Sequence, residues 1–150
     1  MSDVGVSMRR FDCESFLLQG IGFGLDRISD DYKIVRLSYV KDHSFVYAVK
    51  SGTWCEIASA KHENQIHSVH YDALFFNGVL HWVIDVYDTE PKDVCICCIL
   101  TFDLSTHVFG MITLPTSNRY WSTAGLRTIQ GSLALISYSH EFNECRAPLI

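Results

Sequence analysis

Adjacent carboxylates at Asp30 and Asp31 are the first candidates for reactivity, because two carboxylates can divide acid and base work between them. That division needs a cleft that separates their pKa values. Here the pair sits in "DRISDDYKIVRL", between a polar run and an apolar one. This is the setting of a turn entering a strand, where Asp accepts backbone hydrogen bonds. "CICC" (Cys95, Cys97, Cys98) offers thiols, but it is not Cys-x-x-Cys with a matching partner pair, so it reads as small apolar residues in a strand. His62, His67 and His70 could gather a metal only if a helix aligned them; on a strand or loop, His67 and His70 are expected on opposite faces. "GIGFG" (Gly20 to Gly24) lacks the Lys-Ser/Thr and the following helix of a phosphate loop, and reads as strand glycines that let another backbone approach. No nucleophile sits in a Gly-x-Ser-x-Gly elbow. The residues therefore predict no enzyme, no metal and no cofactor.

Bulk composition narrows the class. Length suits one domain, and 48% hydrophobic residues suffice for a packed core. With a formal net charge of −5 and no basic cluster, nucleic acid is not an expected partner. The longest apolar run, "VCICCILTF", falls far short of a membrane span, and no signal-peptide pattern opens the chain. Reduced cysteines and a cytoplasmic or nuclear location are expected.

Helical periodicity is poor throughout, whereas strand signals are dense. "YKIVRLSYV", "SFVYAV", "TWCEIA", "VLHWVIDVY", "CCILTFDL" and "SLALISYS" are β-branched or aromatic runs bounded by turns such as Asn77-Gly78, Ser105-Thr106 and Gln130-Gly131. "CEIASAKHENQIHSVH" (Cys55 to His70) reads as a long loop. Two hairpins recur in order. "VYAVKSGTWCEI" aligns with "TFDLSTHVFGMI", placing Tyr47 on Phe102 and Trp54 on Phe109. "FFNGVLHWV" aligns with "TIQGSLALI", placing Phe76 on Ile129, Gly78 on Gly131, Leu80 on Leu133 and Trp82 on Leu135. The offset of about 50 residues is that of a kelch-like propeller blade. The expected fold is all-β, with short antiparallel strands forming a partial β-propeller of about two and a half blades.

These segments resemble the plant F-box-associated domain. "GFGLDRISDDYKIVRL" carries Gly22, Phe23, Gly24, Asp30, Asp31, Tyr32 and Lys33 at that family's motif positions; "VYAVKSGTWCEI" carries Trp54; "FFNGVLHWV" carries Asn77, Gly78, His81 and Trp82; "ILTFDLSTHVFGMITLP" carries Phe102, Asp103 and Phe109; "LRTIQGSLALISY" carries Gly131. The resemblance covers roughly residues 20 to 140 and implies the substrate-binding half of an F-box protein in a cullin–RING (SCF-type) ubiquitin ligase. Its partner would be a protein to be ubiquitinated and degraded, and the ligase adaptor would be reached only through an F-box. No F-box pattern occupies residues 1–19, read as an extension before a domain at 20–141. An atypical tail at 142–150 replaces the family's Trp-containing strand. The expectation is a domain truncated at both ends, with target binding without ligase recruitment as the alternative and a small metal protein as a third reading.

Loops on a rigid β scaffold are the expected partner surface. The candidates are Lys61, His62, Glu63 and Asn64; Asp85, Tyr87, Asp88 and Glu90 after the "LHWV" strand; and Arg119, Tyr120 and Trp121 after Pro115, since Tyr, Trp and Arg anchor interfaces.

Overall fold

A computed structural model describes residues 19–38, 44–57, 66–70, 72–87, 95–114, 121–139 and 145–146, with no helix among them. Alternating apolar residues and short turns produce an all-β fold of antiparallel strands, as the sequence predicts, arranged in three sheets. The first sheet orders β1 (Gln19–Asp26), β2 (Asp31–Ser38), β3 (Ser44–Ala48) and β4 (Thr53–Ile57) as a meander. The second joins β5 (Ile66–Val69), β6 (Leu74–Phe76), β7 (Val79–Tyr87), β8 (Cys95–Asp103) and β9 (Phe109–Thr113), with β5 and β6 both pairing with β7. The third holds β10 (Trp121–Ile129), β11 (Ser132–Ser139) and the two-residue β12 (Cys145–Arg146). The described residues close no barrel or complete propeller.

Cys55 to His70 is not the single loop predicted from its polarity. Its ends are strands, because Cys55 pairs with Val46 and Ile66 with Val86. Ile57 and Ile66 supply the buried apolar contacts that a purely polar loop would lack.

The sheets stack in chain order, and the period of two decides which side chains meet. Val35, Leu37 and Val46 of the first sheet pack on Leu80, Trp82, Ile84, Cys98, Leu100 and Phe102 of the second. The neighbouring positions Val83 and Ile99 face the other way, onto Leu126, Leu133 and Leu135 of the third. The middle sheet is therefore apolar on both faces.

The close first junction explains "GIGFG". Gly20, Gly22 and Gly24 share a face of β1 with inward-facing Asp26. A Cβ on Gly22 would lie 2.6 Å from Leu80, and one on Gly24 2.3 Å from Phe75. Trp82 lies against this glycine face and donates its indole N–H to the Ile21 carbonyl at 3.2 Å. The recurring hairpins use one turn geometry. Asn77 and Gly78 have φ of 50° and 78°, and Gln130 and Gly131 have 49° and 73°, the doubly positive pattern of a two-residue hairpin loop.

Candidate functional site

The Asp30-Asp31 turn separates its carboxylates instead of pairing them. Asp30, at φ 50°, is exposed and reaches Lys50 Nζ at 3.4 Å, an ion pair of little energetic weight. Asp31 is buried and accepts the Lys50 backbone N–H at 3.0 Å, tying the β1–β2 turn to the β3–β4 turn.

The more consequential acid is Asp26, which no sequence motif singles out. Its carboxylate accepts from Lys33 Nζ (2.7 Å), the Ser29 hydroxyl (2.7 Å), the Ser105 hydroxyl (2.6 Å) and the Ile28 N–H (3.0 Å). Burial would raise this carboxyl, but those donors, Lys33 foremost, hold it well below the usual carboxylate range. Lys33 directs its three N–H bonds at Asp26, the Leu104 carbonyl (2.8 Å) and His107 Nε2 (3.2 Å). Burial first and the Lys33 ammonium second push His107 below its ordinary pKa, so it accepts as neutral imidazole. The cluster fastens β1 and β2 to the β8–β9 turn across two sheets. That turn is itself held by Asp103, whose Oδ1 accepts the Ser105 and Thr106 N–H groups. The only signals that could have found it are the polar residues Asp26 and Lys33 at inward-facing positions of apolar strands.

At the far end of β7 a second polar group is solvent-exposed. Tyr87 Oη lies 2.7 Å from His67 Nδ1, with the rings edge to face at 4.8 Å. Asp85 Oδ2 accepts from Ser68 Oγ (3.0 Å) and lies 2.7 Å from His70 Nε2. The Asp85 hydrogen bond and charge outweigh burial and raise the His70 pKa; burial works against the lowered Asp85 carboxyl, which His70 and Ser68 hold down. Asp85 and Tyr87 were expected in a loop. They are strand residues instead, because β7 continues pairing to Tyr87↔Cys95. His67 and His70 were expected on opposite faces. A register shift between Ile66 and Ser68 makes His67 the extra residue of a bulge, and both rings reach the Asp85–Tyr87 face. Among the described residues no three His, Cys, Asp or Glu side chains could hold a metal ion.

A third surface is aromatic. The face of the first sheet turned away from the second bears Ile21, Phe23, Leu25, Tyr32, Ile34, Phe45, Tyr47 and Trp54, together with the buried Arg36 and with Glu56, by their pairing register. Phe23 and Tyr32, 53% and 49% exposed, stack with centroids 5.3 Å apart. Tyr47 and Trp54 contact at 5.1 Å, and the Trp54 indole N–H is buried without an acceptor among the described residues.

The remaining sequence-derived positions divide clearly. His81 is buried, with Nδ1 3.3 Å from the Leu74 carbonyl; burial lowers its pKa. Phe102 and Phe109 form a cross-strand pair at 4.7 Å, matching Tyr47 and Trp54 as the repeat predicts. Cys98 is buried, and burial pushes its thiol up to about 11. Lys61, His62, Glu63, Asn64, Asp88, Glu90, Arg119 and Tyr120 lie outside the described residues, as does the side chain of Trp121.

Stacked antiparallel sheets with exposed aromatic and imidazole groups describe a scaffold for contact. The comparisons with known proteins agree with that description. A putative F-box protein of Arabidopsis thaliana is 26% identical over 125 residues, covering 81% of this chain and 31% of that protein. A second putative F-box protein from the same plant is 29% identical over 103 residues, 66% of this chain and 26% of that protein. The Arabidopsis thaliana F-box protein CPR1 is 29% identical over 114 residues, 63% of this chain and 27% of that protein. The chain thus spans about a third or less of the length of these relatives. The family described as the F-box associated beta propeller domain matches residues 7–145, and the chain belongs to that family.

Proposed function

We propose that this chain is the target-recognition module of an SCF-type cullin–RING ubiquitin ligase, acting in the cytoplasm or nucleus to select a protein for degradation. The observation that carries the proposal is the family membership, with relatives named as F-box proteins. An exposed polar and aromatic surface supports the reading. Tyr87 is exposed on β7, which β5 and β8 hold from both sides, and His67 on β5 and His70 just after it are exposed beside it, tied to Tyr87 and Asp85 by hydrogen bonds that fix their geometry before a partner arrives. Tyrosine supplies contact area at low entropic cost.

The test joins residues 1–150 to an F-box in plant cells and measures protein abundance with and without proteasome inhibition. A defined set of proteins is expected to fall and to recover on inhibition. Without the F-box, the chain is expected to bind the same proteins and leave their abundance unchanged. Tyr87→Ala combined with His67→Ala is expected to weaken that binding by roughly 1–2 kcal/mol, a loss of about tenfold. Absence of any protein whose ubiquitination depends on the fusion would contradict the proposal. Full binding by the double variant would move the contact to another surface.

A further inference from the structure

The polar cluster at the turn end of the first junction includes a titratable group that joins the two sheets. Asp26 and Lys33, with side chains 3% and 11% exposed, form a 2.7 Å ion pair within the first sheet. Lys33 also reaches the β8–β9 turn of the second sheet, donating to the Leu104 carbonyl at 2.8 Å and to His107 Nε2 at 3.2 Å. From the same turn the Ser105 hydroxyl donates to Asp26 Oδ1 at 2.6 Å. These three links differ in one respect. A carbonyl and a hydroxyl keep their roles across neutral and mildly acidic pH, whereas an imidazole nitrogen accepts only while it is neutral. Backbone geometry points to the same residue. His107 has φ of 57°, a left-handed conformation disfavoured for a side chain with a Cβ, so its contacts must hold it there. Its backbone N–H donates to the Asp103 carbonyl at 2.9 Å, and its ring stacks on Phe102 at 5.7 Å. The ring is half-buried, while Asp26 and Lys33 are buried.

We propose that His107 is a proton-sensitive latch on this junction: neutral, it accepts from Lys33 and closes the cluster; protonated, it leaves Lys33 and lets water reach the Asp26–Lys33 pair. Protonation turns the acceptor into a donor and sets a second cation against the ammonium. Among the described residues three charged groups face the ring: Lys33 from β2, Asp26 from β1 and Asp103 from the end of β8. The two carboxylates favour the proton. Burial first and Lys33 second outweigh them, so the ring takes up its proton only below its ordinary value of 6.5. Release leaves no buried charge without a partner, because Asp26 and Lys33 belong to one sheet and keep each other. Lys33 also keeps the Leu104 carbonyl, since Leu104 is anchored in the apolar core. The turn keeps its shape through Asp103, whose carboxylate still accepts the Ser105 and Thr106 N–H groups. The junction therefore loosens at its turn end in mild acid without coming apart. The inference does not depend on ligase membership.

The test is nuclear magnetic resonance of the full chain between about pH 7.5 and pH 5, following the His107 ring and the exchange of the Lys33 ammonium protons with water. The exposed Lys50 ammonium serves as the reference, so that the intrinsic pH dependence of exchange cancels. The ring is expected to titrate with a midpoint below 6.5. Protection of Lys33 relative to Lys50 is expected to fall at least about tenfold with that same midpoint. His107→Asn removes the titrating group and keeps a residue suited to the left-handed region. In that variant, with its β signal verified by circular dichroism, the relative protection of Lys33 is expected to be the same at both pH limits. Where the variant does not fold, the wild type decides alone, through the coincidence of the ring and ammonium midpoints. Ring titration that leaves Lys33 protection unchanged overturns the proposal, because the ring then takes its proton in place. So does a pH-dependent loss of protection that persists in His107→Asn, since another group then opens the cluster.

Discussion

Gly24 and Gly78 lack a side chain for opposite reasons. At Gly24 the space is occupied: a Cβ would fall 2.3 Å from the Phe75 ring and 2.9 Å from Leu104. At Gly78 nothing lies within 4 Å, but φ is +78°. Gly24→Ala is expected to destabilise the chain by about 2 kcal/mol by forcing the first two sheets apart. Gly78→Ala should cost about 1 kcal/mol through backbone strain alone. Urea midpoints check both; equal and negligible effects would mean the first junction is looser than described. Lys33 belongs at this scale too. Lys33→Met leaves Asp26 buried without its cation, and a loss of about 3 kcal/mol is expected, measured the same way. The double change Asp26→Leu with Lys33→Met should recover part of that loss. Much of this was legible in the residues. Alternating glycines in "GIGFG" announce a close approach, and Asn77-Gly78 announces its turn. The Asp26–Lys33 cluster was not legible, because its acceptors and donors at Leu104, Ser105 and His107 are more than 70 positions away in the chain.

At the scale of the element, the β5 bulge does what a regular strand could not. Strict alternation would send His67 and Ser68 to opposite faces. The register shift brings His67, Ser68 and His70 to Asp85 and Tyr87 together. Sequence cannot reveal such a bulge, since one extra residue in a four-residue strand changes no composition. Its consequence is measurable as a pH dependence. The His70 pKa is raised, so the stability it contributes is fully present below its ordinary value of 6.5 and is lost as pH rises through the folded value. The Asp85 pKa is lowered, so its contribution is present above 3.8 and is lost on further acidification. The pair therefore stabilises most between these limits. His81 and His107, both lowered by burial, act with the opposite sign and lose stability as pH falls below 6.5. The pair is thus isolated by difference. The stability gap between wild type and Asp85→Asn is expected to be larger at pH 5.5 than at pH 8.5. A gap independent of pH would mean that His70 and Asp85 do not pair in solution.

Across the whole molecule, internal repetition makes the all-β architecture legible in the sequence. Aromatic pairs at Tyr47–Trp54 and Phe102–Phe109, and doubly positive turns at residues 77–78 and 130–131, recur in structure as they do in sequence. Periodicity could not give the order in which the sheets stack. That order depends on which face each strand turns to its neighbour, and the middle strands are apolar on both faces. Trp82 settles the first junction by reaching from β7 to the Ile21 carbonyl on β1. Val83 and Ile99 settle the second against Leu126, Leu133 and Leu135. The thiols follow the same logic: Cys98 lies inside the first junction, while Cys55 is exposed. At neutral pH, Cys55 is expected to alkylate readily and Cys98 only after unfolding; alkylation of Cys98 in the native chain would place it outside the core.

The most direct measurement is equilibrium urea unfolding of the full chain, followed by tryptophan fluorescence and by far-UV circular dichroism. Trp54, Trp82 and Trp121 fall one in each sheet, so fluorescence follows the surroundings of three side chains while circular dichroism follows the strands as a whole. Two coincident, steep transitions are expected if the sheets form one cooperative stack. Non-coincident or multiphasic transitions would mean that the sheets unfold apart from one another, and would contradict the stack on which the candidate surfaces depend.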